Sequence, residues 1–163
     1  MYVRGNKLDY DTWAQMGNTG WSYDDVLPFF KKIENYQGEI TELRSSKGPL
    51  KISEVVDRNP IYEGLFKGAS EIGIPTNKDY NGDEQEGISY TQTTIFKGER
   101  MSAEVAYLKP IRSRKNLTII TNSLVTKLLF DGKICIGVKV KNKNKIKDFF
   151  AHNEVILCGG AIN

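Results

Sequence analysis

The 163-residue chain is poor in the residue types from which most catalytic motifs are built. It has one histidine, His152, and two cysteines, Cys135 and Cys158. A lone histidine cannot form a metal cluster, and cysteines so far apart match neither a zinc site nor a disulfide scaffold. Both cysteines read as buried small hydrophobes, and His152 as a solvated connector residue. Gly-x-Gly-x-x-Gly, the P-loop and the Ser or Cys nucleophile elbow are all absent from these residues. No window approaches the roughly 18 consecutive apolar residues of a membrane span. The first 20 residues, with Arg4, Lys7, Asp9 and Asp11, lack the apolar run of a signal peptide.

What is present is ordinary for a globular chain. Hydrophobic residues make up 39% and charged residues 26%, which argues against disorder, collagen and coiled coil. A chain this long can remove roughly 70% of its unfolded surface from water without a staple. The net charge is +3, and much of the excess sits in Lys139, Lys141, Lys143, Lys145 and Lys147. Asn142 and Asn144 suit a tight turn, so these lysines read as two arms of a hairpin whose tip is protected from edge pairing. No arginine or exposed aromatic is interleaved to stack on bases, which disfavours a nucleic-acid partner.

Periodicity and capping signals lay out the elements. Asp9 or Asp11 can cap a short helix through Trp13 and Met16, ended by Gly17-Asn18. Ser22 with Asp25 is a capping-box pattern for a second helix that begins or kinks at Pro28 and runs to about Tyr36. Residues 50–52 alternate as a strand, and Asn59-Pro60 starts a helix that stops at Gly73. The acidic run 79–87 lacks the ligand order of a calcium loop. Residues 89–96 read as a strand, and Ser102 caps a short helix ended by Pro110. Segments 117–121, 125–130, 134–140 and 146–150 read as strands separated by turns. The run 154–158 is continuously apolar after Glu154, as in a parallel strand covered on both faces, and opens into Gly159-Gly160-Ala161. Composition and spacing therefore predict an α/β protein with α+β pieces and a nucleotide-fold strand near its end, reading as a fragment of something larger.

One resemblance goes further. Tyr2-Val3-Arg4-Gly5-Asn6, Asp9-Tyr10-Asp11-x-Trp13, Gly17-Asn18-x-Gly20-Trp21-Ser22-Tyr23 and Val26-Leu27-Pro28-Phe29-Phe30-Lys31-Lys32 form its first part. Asp79-x-Asn81-Gly82-x-x-Gln85-x-Gly87, Gln92-x-Thr94 and Gly98-x-Arg100-x-Ser102-Ala103 continue it. Asn116-Leu117-Thr118-Ile119, Val125 and Glu154-Val155-Ile156-Leu157-x-x-Gly160-Ala161-Ile162 complete it. In this order they closely resemble the glucose-methanol-choline (GMC) oxidoreductase family, with wording most like its insect glucose dehydrogenase-type members.

The resemblance implies a fragment of an FAD-binding, Rossmann-like domain with a β-meander, interleaved with part of a substrate-binding domain. It implies residues 1–48 as a helical and loop segment of the FAD domain and its lid, 49–112 as substrate-domain portion and return segment, and 113–163 as meander and terminal parallel strand. It implies FAD as cofactor and oxidation of a CH–OH group of a small alcohol or sugar, with hydride passed to the flavin. Val125 matches the valine whose main chain grips adenine, and Gly160 and Ala161 match a turn beside the cofactor. The main phosphate loop would precede the chain, a Ser-Pro continuation would follow Asn163, and the catalytic histidine pair would lie beyond it; His152 matches neither. The chain alone is expected to be inactive. A truncated or inactive paralogue, or a binding module using the lysine hairpin, are the alternatives. Insect-type relatives are often secreted, an analogy with no counterpart signal in this chain.

Overall fold

The computed structural model describes residues 1–162, so the expected continuation at Asn163 lies outside the described residues. The chain divides into two compact units, Met1–Ser113 and Arg114–Asn163.

The first unit opens on helix α1 (Lys7–Gln15). Its cap is Asn6, whose Oδ1 accepts from the Leu8 N–H at 2.9 Å, and not Asp9 or Asp11 as the sequence suggested. Asp9 instead lies in the first turn, where a carboxylate suits the helix dipole. Asp11 accepts from the Tyr23 N–H at 3.0 Å and so ties α1 to the next helix. Helix α2 (Tyr23–Ile33) starts at the expected capping box of Ser22 and Asp25. Pro28 sits inside it, past the first turn. Proline there removes one backbone bond, and the reciprocal cap with Asp24 and Asp25 in the first turn offsets the loss. The helix ends at Ile33, earlier than expected, because the next residues are claimed by a sheet.

That sheet is β1 (Glu34–Tyr36), β2 (Leu50–Glu54) and β3 (Gln92–Thr93), with β1 parallel and β3 antiparallel to the central β2. Helix α3 (Ile61–Glu71) is entered through Asn59, whose Oδ1 accepts from the Ile61 N–H at 3.0 Å, followed by Pro60. The expected strand over 89–96 is shorter and broken. Only β3 and then β4 (Ile95–Phe96) form ladders, and β4 turns through Lys97 (φ 51°) and Gly98 (φ 77°) into β5 (Glu99–Arg100). Ser102 Oγ accepts from the Val105 N–H at 3.2 Å, as its capping role predicts. The element it starts is a π-helical turn, Glu104–Leu108, rather than an α-helix, followed by a 3-10 turn holding Pro110.

The core of this unit is polar. Beside Tyr36 and Ile52 lie Arg4, Glu34, Arg44, Asn81 and Gln92, each at most 3% exposed. Burying charge is costly unless it is paired and hydrogen-bonded. Here Glu34 Oε1 takes Arg44 Nε at 3.1 Å and lies 2.7 Å from Arg4 Nη2. Arg44 Nη1 reaches Asp79 Oδ1 at 2.6 Å, and both its terminal nitrogens donate to Gln92 Oε1 at 3.1 Å. The Arg44 guanidinium carbon also lies over the Tyr36 ring, 3.7 Å from its centroid. Arg4 is less well served. Nη1 donates to the Leu43 carbonyl at 2.6 Å, but Nη2 meets Glu34 at an angle too poor for a directed hydrogen bond, and Nε has no acceptor among the described residues.

The second unit is the expected meander, β6 (Leu124–Asp131), β7 (Ile134–Asn142) and β8 (Lys145–Phe150), antiparallel in that order. Lys143 takes φ 52° at the lysine turn. The register divides the lysines. Lys139 and Lys141 oppose Asp148 and Ile146 on one face, while Lys145 and Lys147 oppose Asn142 and Val140 on the other. Lys139 is further held by Asp148 at 2.6 Å. Segments 117–121 and 154–158, expected as strands, join no ladder among the described residues. Apolar content alone does not make a strand, because each needs a neighbour to take its N–H and C=O groups. The terminal segment is correspondingly not buried: Ile156 and Leu157 are exposed. Cys158 is exposed and Cys135 half-buried, which corrects the expectation that both are core residues.

Two predictions follow from the polar core. Glu34→Ala leaves two guanidinium groups without their shared carboxylate and is expected to cost about 3–5 kcal/mol, read from the urea midpoint; a loss under about 1 kcal/mol would contradict this account. Burial, reinforced by the Asp79 charge, pushes the Tyr36 phenol from 10.0 up to about 12. The folded state therefore holds that proton longer than the unfolded chain does. Stability from this group is complete below pH 10.0 and is lost as pH rises toward about 12. Tyr36→Phe is expected to remove that part of the alkaline transition, followed by circular dichroism between pH 9 and 12.

Candidate functional site

Val125 and Gly160 stand 35 positions apart in sequence and line one open cleft of about 630 Å³ within the second unit. One wall is five consecutive β6 residues, 124–128, and the other is 157–160. Side chains alternate faces along a strand, so a cleft that touches five in a row meets the strand along its edge. Among the described residues β6 pairs only with β7, and its other edge carries no ladder. Alternate residues there turn their N–H and C=O groups away from the ladder and offer donors and acceptors in a row. The register shift between Val125 and Lys127 bends the strand at this point.

The opposite wall depends on glycine for conformation. Gly160 has φ 77°, a left-handed geometry that side-chain-bearing residues adopt only at a cost, and a Cβ added there would meet open space. Its value is therefore the turn it permits and not close contact with a neighbour. Ala161 follows in the same turn but does not line the cleft.

The chemistry of the cleft is that of binding. Leu128 and Leu157 give apolar surface, Lys127 one cation and Cys158 a free thiol; the lining contains no carboxylate and no histidine. His152 is exposed and lines none of the described pockets. Such a site suits a flat heterocycle with hydrogen-bonding edges better than it suits acid–base catalysis.

Sequence reasoning missed the polar core of the first unit, although its residues were in plain view. Arg4, Asp79, Asn81, Gln85 and Gln92 were noted as motif positions without a structural role. In the fold they bond one another: the Arg4 N–H donates to Asn81 Oδ1 at 2.7 Å, Gln85 Nε2 to the Arg4 carbonyl at 3.2 Å, and Asn81 Nδ2 to Gln92 Oε1 at 2.9 Å. Gly87, closing the same motif, has φ 121°, and a Cβ there would lie 2.5 Å from the Pro75 carbonyl oxygen.

The family model described as GMC oxidoreductase matches residues 1–163. The chain belongs to the GMC oxidoreductase family. Among curated relatives, the oxygen-dependent choline dehydrogenase of Brucella anthropi is 38% identical over all 163 residues and the mitochondrial choline dehydrogenase of Homo sapiens 37%. The chain spans 30% and 27% of their lengths. Among solved structures, an FAD-dependent oxidoreductase from Chaetomium thermophilum has a TM-score of 0.85 at 30% identity, covering 93% of this chain and 29% of its own. Pyridoxine 4-oxidase from Mesorbium loti gives 0.83 at 30% identity, covering 91% and 30%. The mixed helix-and-sheet fold is thus that of a segment of a GMC oxidoreductase.

The cleft makes its thiol a reporter. In this GMC segment, a thiol-reactive chromogenic disulfide is expected to titrate Cys158 in a fast phase and Cys135 in a slower one. Cys158→Ser should abolish the fast phase; survival of that phase would place Cys158 out of reach and contradict the open cleft.

Proposed function

We propose that the chain is part of an FAD-dependent oxidoreductase acting on the CH–OH group of a small molecule, and that the cleft at Val125 and Gly160 holds the adenine half of the cofactor. The observation that supports this most directly is the meeting of those two residues along the β6 edge that carries no ladder among the described residues. Main-chain donors and acceptors at the β6 edge would pair with the heterocycle, and the left-handed turn at Gly160 would shape the facing wall. The residues present fit that half of the molecule, with one ammonium, Lys127, and no opposing carboxylate. Bound FAD supplies the hydride-accepting chemistry in such enzymes. Ala161 stands just beyond the lining and would contribute through the turn.

The division into 1–48, 49–112 and 113–163 belongs to the same reading, as FAD-domain and lid segment, substrate-domain portion, and meander. The names of the relatives point to a small alcohol of the choline type as substrate. The glucose dehydrogenase-like wording of residues 2–32 supports a sugar as a second reading. The lysines of the hairpin, divided between two faces, do not favour a nucleic-acid partner. The one histidine of the 163 residues is exposed and does not line the cleft, so we assign the proton acceptor for the alcohol to none of them. A truncated or inactive paralogue would share all of these features.

Titration of the isotopically labelled chain with AMP, FAD and FMN tests the reading. AMP and FAD are expected to shift backbone amides in 124–128 and 157–160, and FMN, which lacks adenine, is not. Equal effects of FMN, or AMP shifts confined to other residues, would overturn it. Because recognition is placed on main-chain groups, Val125→Ala should change AMP affinity by less than about threefold. Gly160→Val forces a β-branched residue into left-handed backbone and should weaken it about tenfold, or about 1.4 kcal/mol. With added FAD, choline or glucose and an artificial electron acceptor, the chain alone is expected to show no acceptor reduction above the blank.

A further inference from the structure

We propose that the first unit carries a second binding site, for a small organic cation bearing a guanidinium or alkylammonium group, on the outer face of Tyr90. It lies wholly within Met1–Ser113 and does not depend on the flavin reading. The argument begins with how the Tyr90 ring is used. Phe66 stacks on it with centroids 4.8 Å apart and planes 26° apart, and Tyr62 meets it edge-on at 6.0 Å. The Arg58 Cζ lies 4.3 Å over the ring centroid. With Phe66 stacked on one face, a guanidinium carbon 4.3 Å from the same centroid has room over the opposite face, which we call the outer one.

A carboxylate completes the arrangement. Arg58 Nη2 donates to Glu54 Oε2 at 3.1 Å, and the other Glu54 oxygen accepts from the Tyr36 hydroxyl at 3.4 Å. An aromatic face with an oriented carboxylate beside it is a receptor for a delocalised or alkylated cation. The chain's own guanidinium shows what the receptor takes. That occupant is loosely held: Arg58 lies in the irregular stretch between β2 and α3, and its side chain is 52% exposed. Exposed pairs of this kind are weak.

The space around it is larger than Arg58 needs. A cavity of about 470 Å³ runs from Tyr90 and Arg58 past Tyr36 to Glu39 and Asp79. Glu39 has no hydrogen-bond or ion-pair partner among the described residues. With Arg58 swung out, Glu39 and Glu54 would remain with Lys78 as the one cation in the lining, Asp79 being matched by Arg44. The cavity would then carry excess negative charge against two aromatic surfaces. This favours a cation over an anion or a neutral solute, with Arg58 as a built-in competitor.

The test uses ethylguanidinium as probe and ethylurea as its neutral counterpart, at fixed ionic strength, on the full 163-residue chain. Arg58→Ala is expected to bind ethylguanidinium at least tenfold more tightly than the parent chain, by calorimetry, and ethylurea no better. Adding Glu54→Gln to Arg58→Ala should remove that gain. Both side chains are partly exposed, and circular dichroism would verify that each variant is folded. As a second readout, ethylguanidinium but not ethylurea should shift the Tyr90 ring resonances of the Arg58→Ala chain, which needs no Glu54 variant. A gain below tenfold, equal binding of ethylurea, a gain that survives Glu54→Gln, or unmoved Tyr90 resonances would each overturn the proposal.

Discussion

The first unit depends on one carboxylate facing two guanidinium groups where no water reaches them. Glu34 stands at the start of β1, Arg44 in the loop that follows, and Arg4 in the segment before α1, so a single side chain ties together three stretches of the first unit. The attraction is strong only because the dielectric is low, and the same low dielectric makes any unpaired member costly. That asymmetry accounts for the company the group keeps. Asp79 takes the far end of Arg44, Gln92 shares its amide oxygen between the two terminal nitrogens, and Tyr36 offers its ring face to the cation. Buried apolar side chains are few among the described residues of this unit: Tyr36, Ile52, Ala69 and Ala106.

A polar core of this type specifies arrangement more than it adds net stability. Each member has a fixed set of donors or acceptors, and only one packing satisfies nearly all of them. It also connects the sites argued above. Tyr36 lies under Arg44 on one side and orients Glu54 on the other, so the buried network and the proposed cation receptor share a residue. Tyr36 is buried against the network, whereas the Arg58 side chain, in the irregular stretch between β2 and α3, is half exposed.

Local signals were legible in the sequence and long-range ones were not. The Ser22–Asp25 box, the Asn59-Pro60 start and the lysine turn are each written within four or five residues, and each is where it was expected. The cap of α1 was misplaced because Asn6, Asp9 and Asp11 are all competent, and only the fold shows that Asp11 is engaged by Tyr23. The polar core joins residues as far apart as Arg4 and Gln92 through Asn81, a span over which no periodicity operates. Motif resemblance marked most of those positions but carried no physics for them. Val125 and Gly160 were named by resemblance, and composition gave no hint that one cleft would hold both.

The sheet of the second unit is sparsely covered within the 163 residues. Three antiparallel strands are the least that can persist with one face covered, yet Leu124, Phe130, Ile134, Ile146 and Phe150 all stand more than half exposed. Among the described residues of this unit, Val140 is the buried apolar side chain. Side chains on the sheet have few neighbours within these 163 residues, and a catalytic group needs neighbours that lock its rotamer. Main-chain groups along a strand edge need no such support, since the ladder on the other side already fixes them. The contact proposed between the β6 edge and a heterocycle rests on groups of that kind. The residues that line the cleft are leucines, glycines, one valine, one threonine, one lysine and one cysteine, with no carboxylate and no histidine.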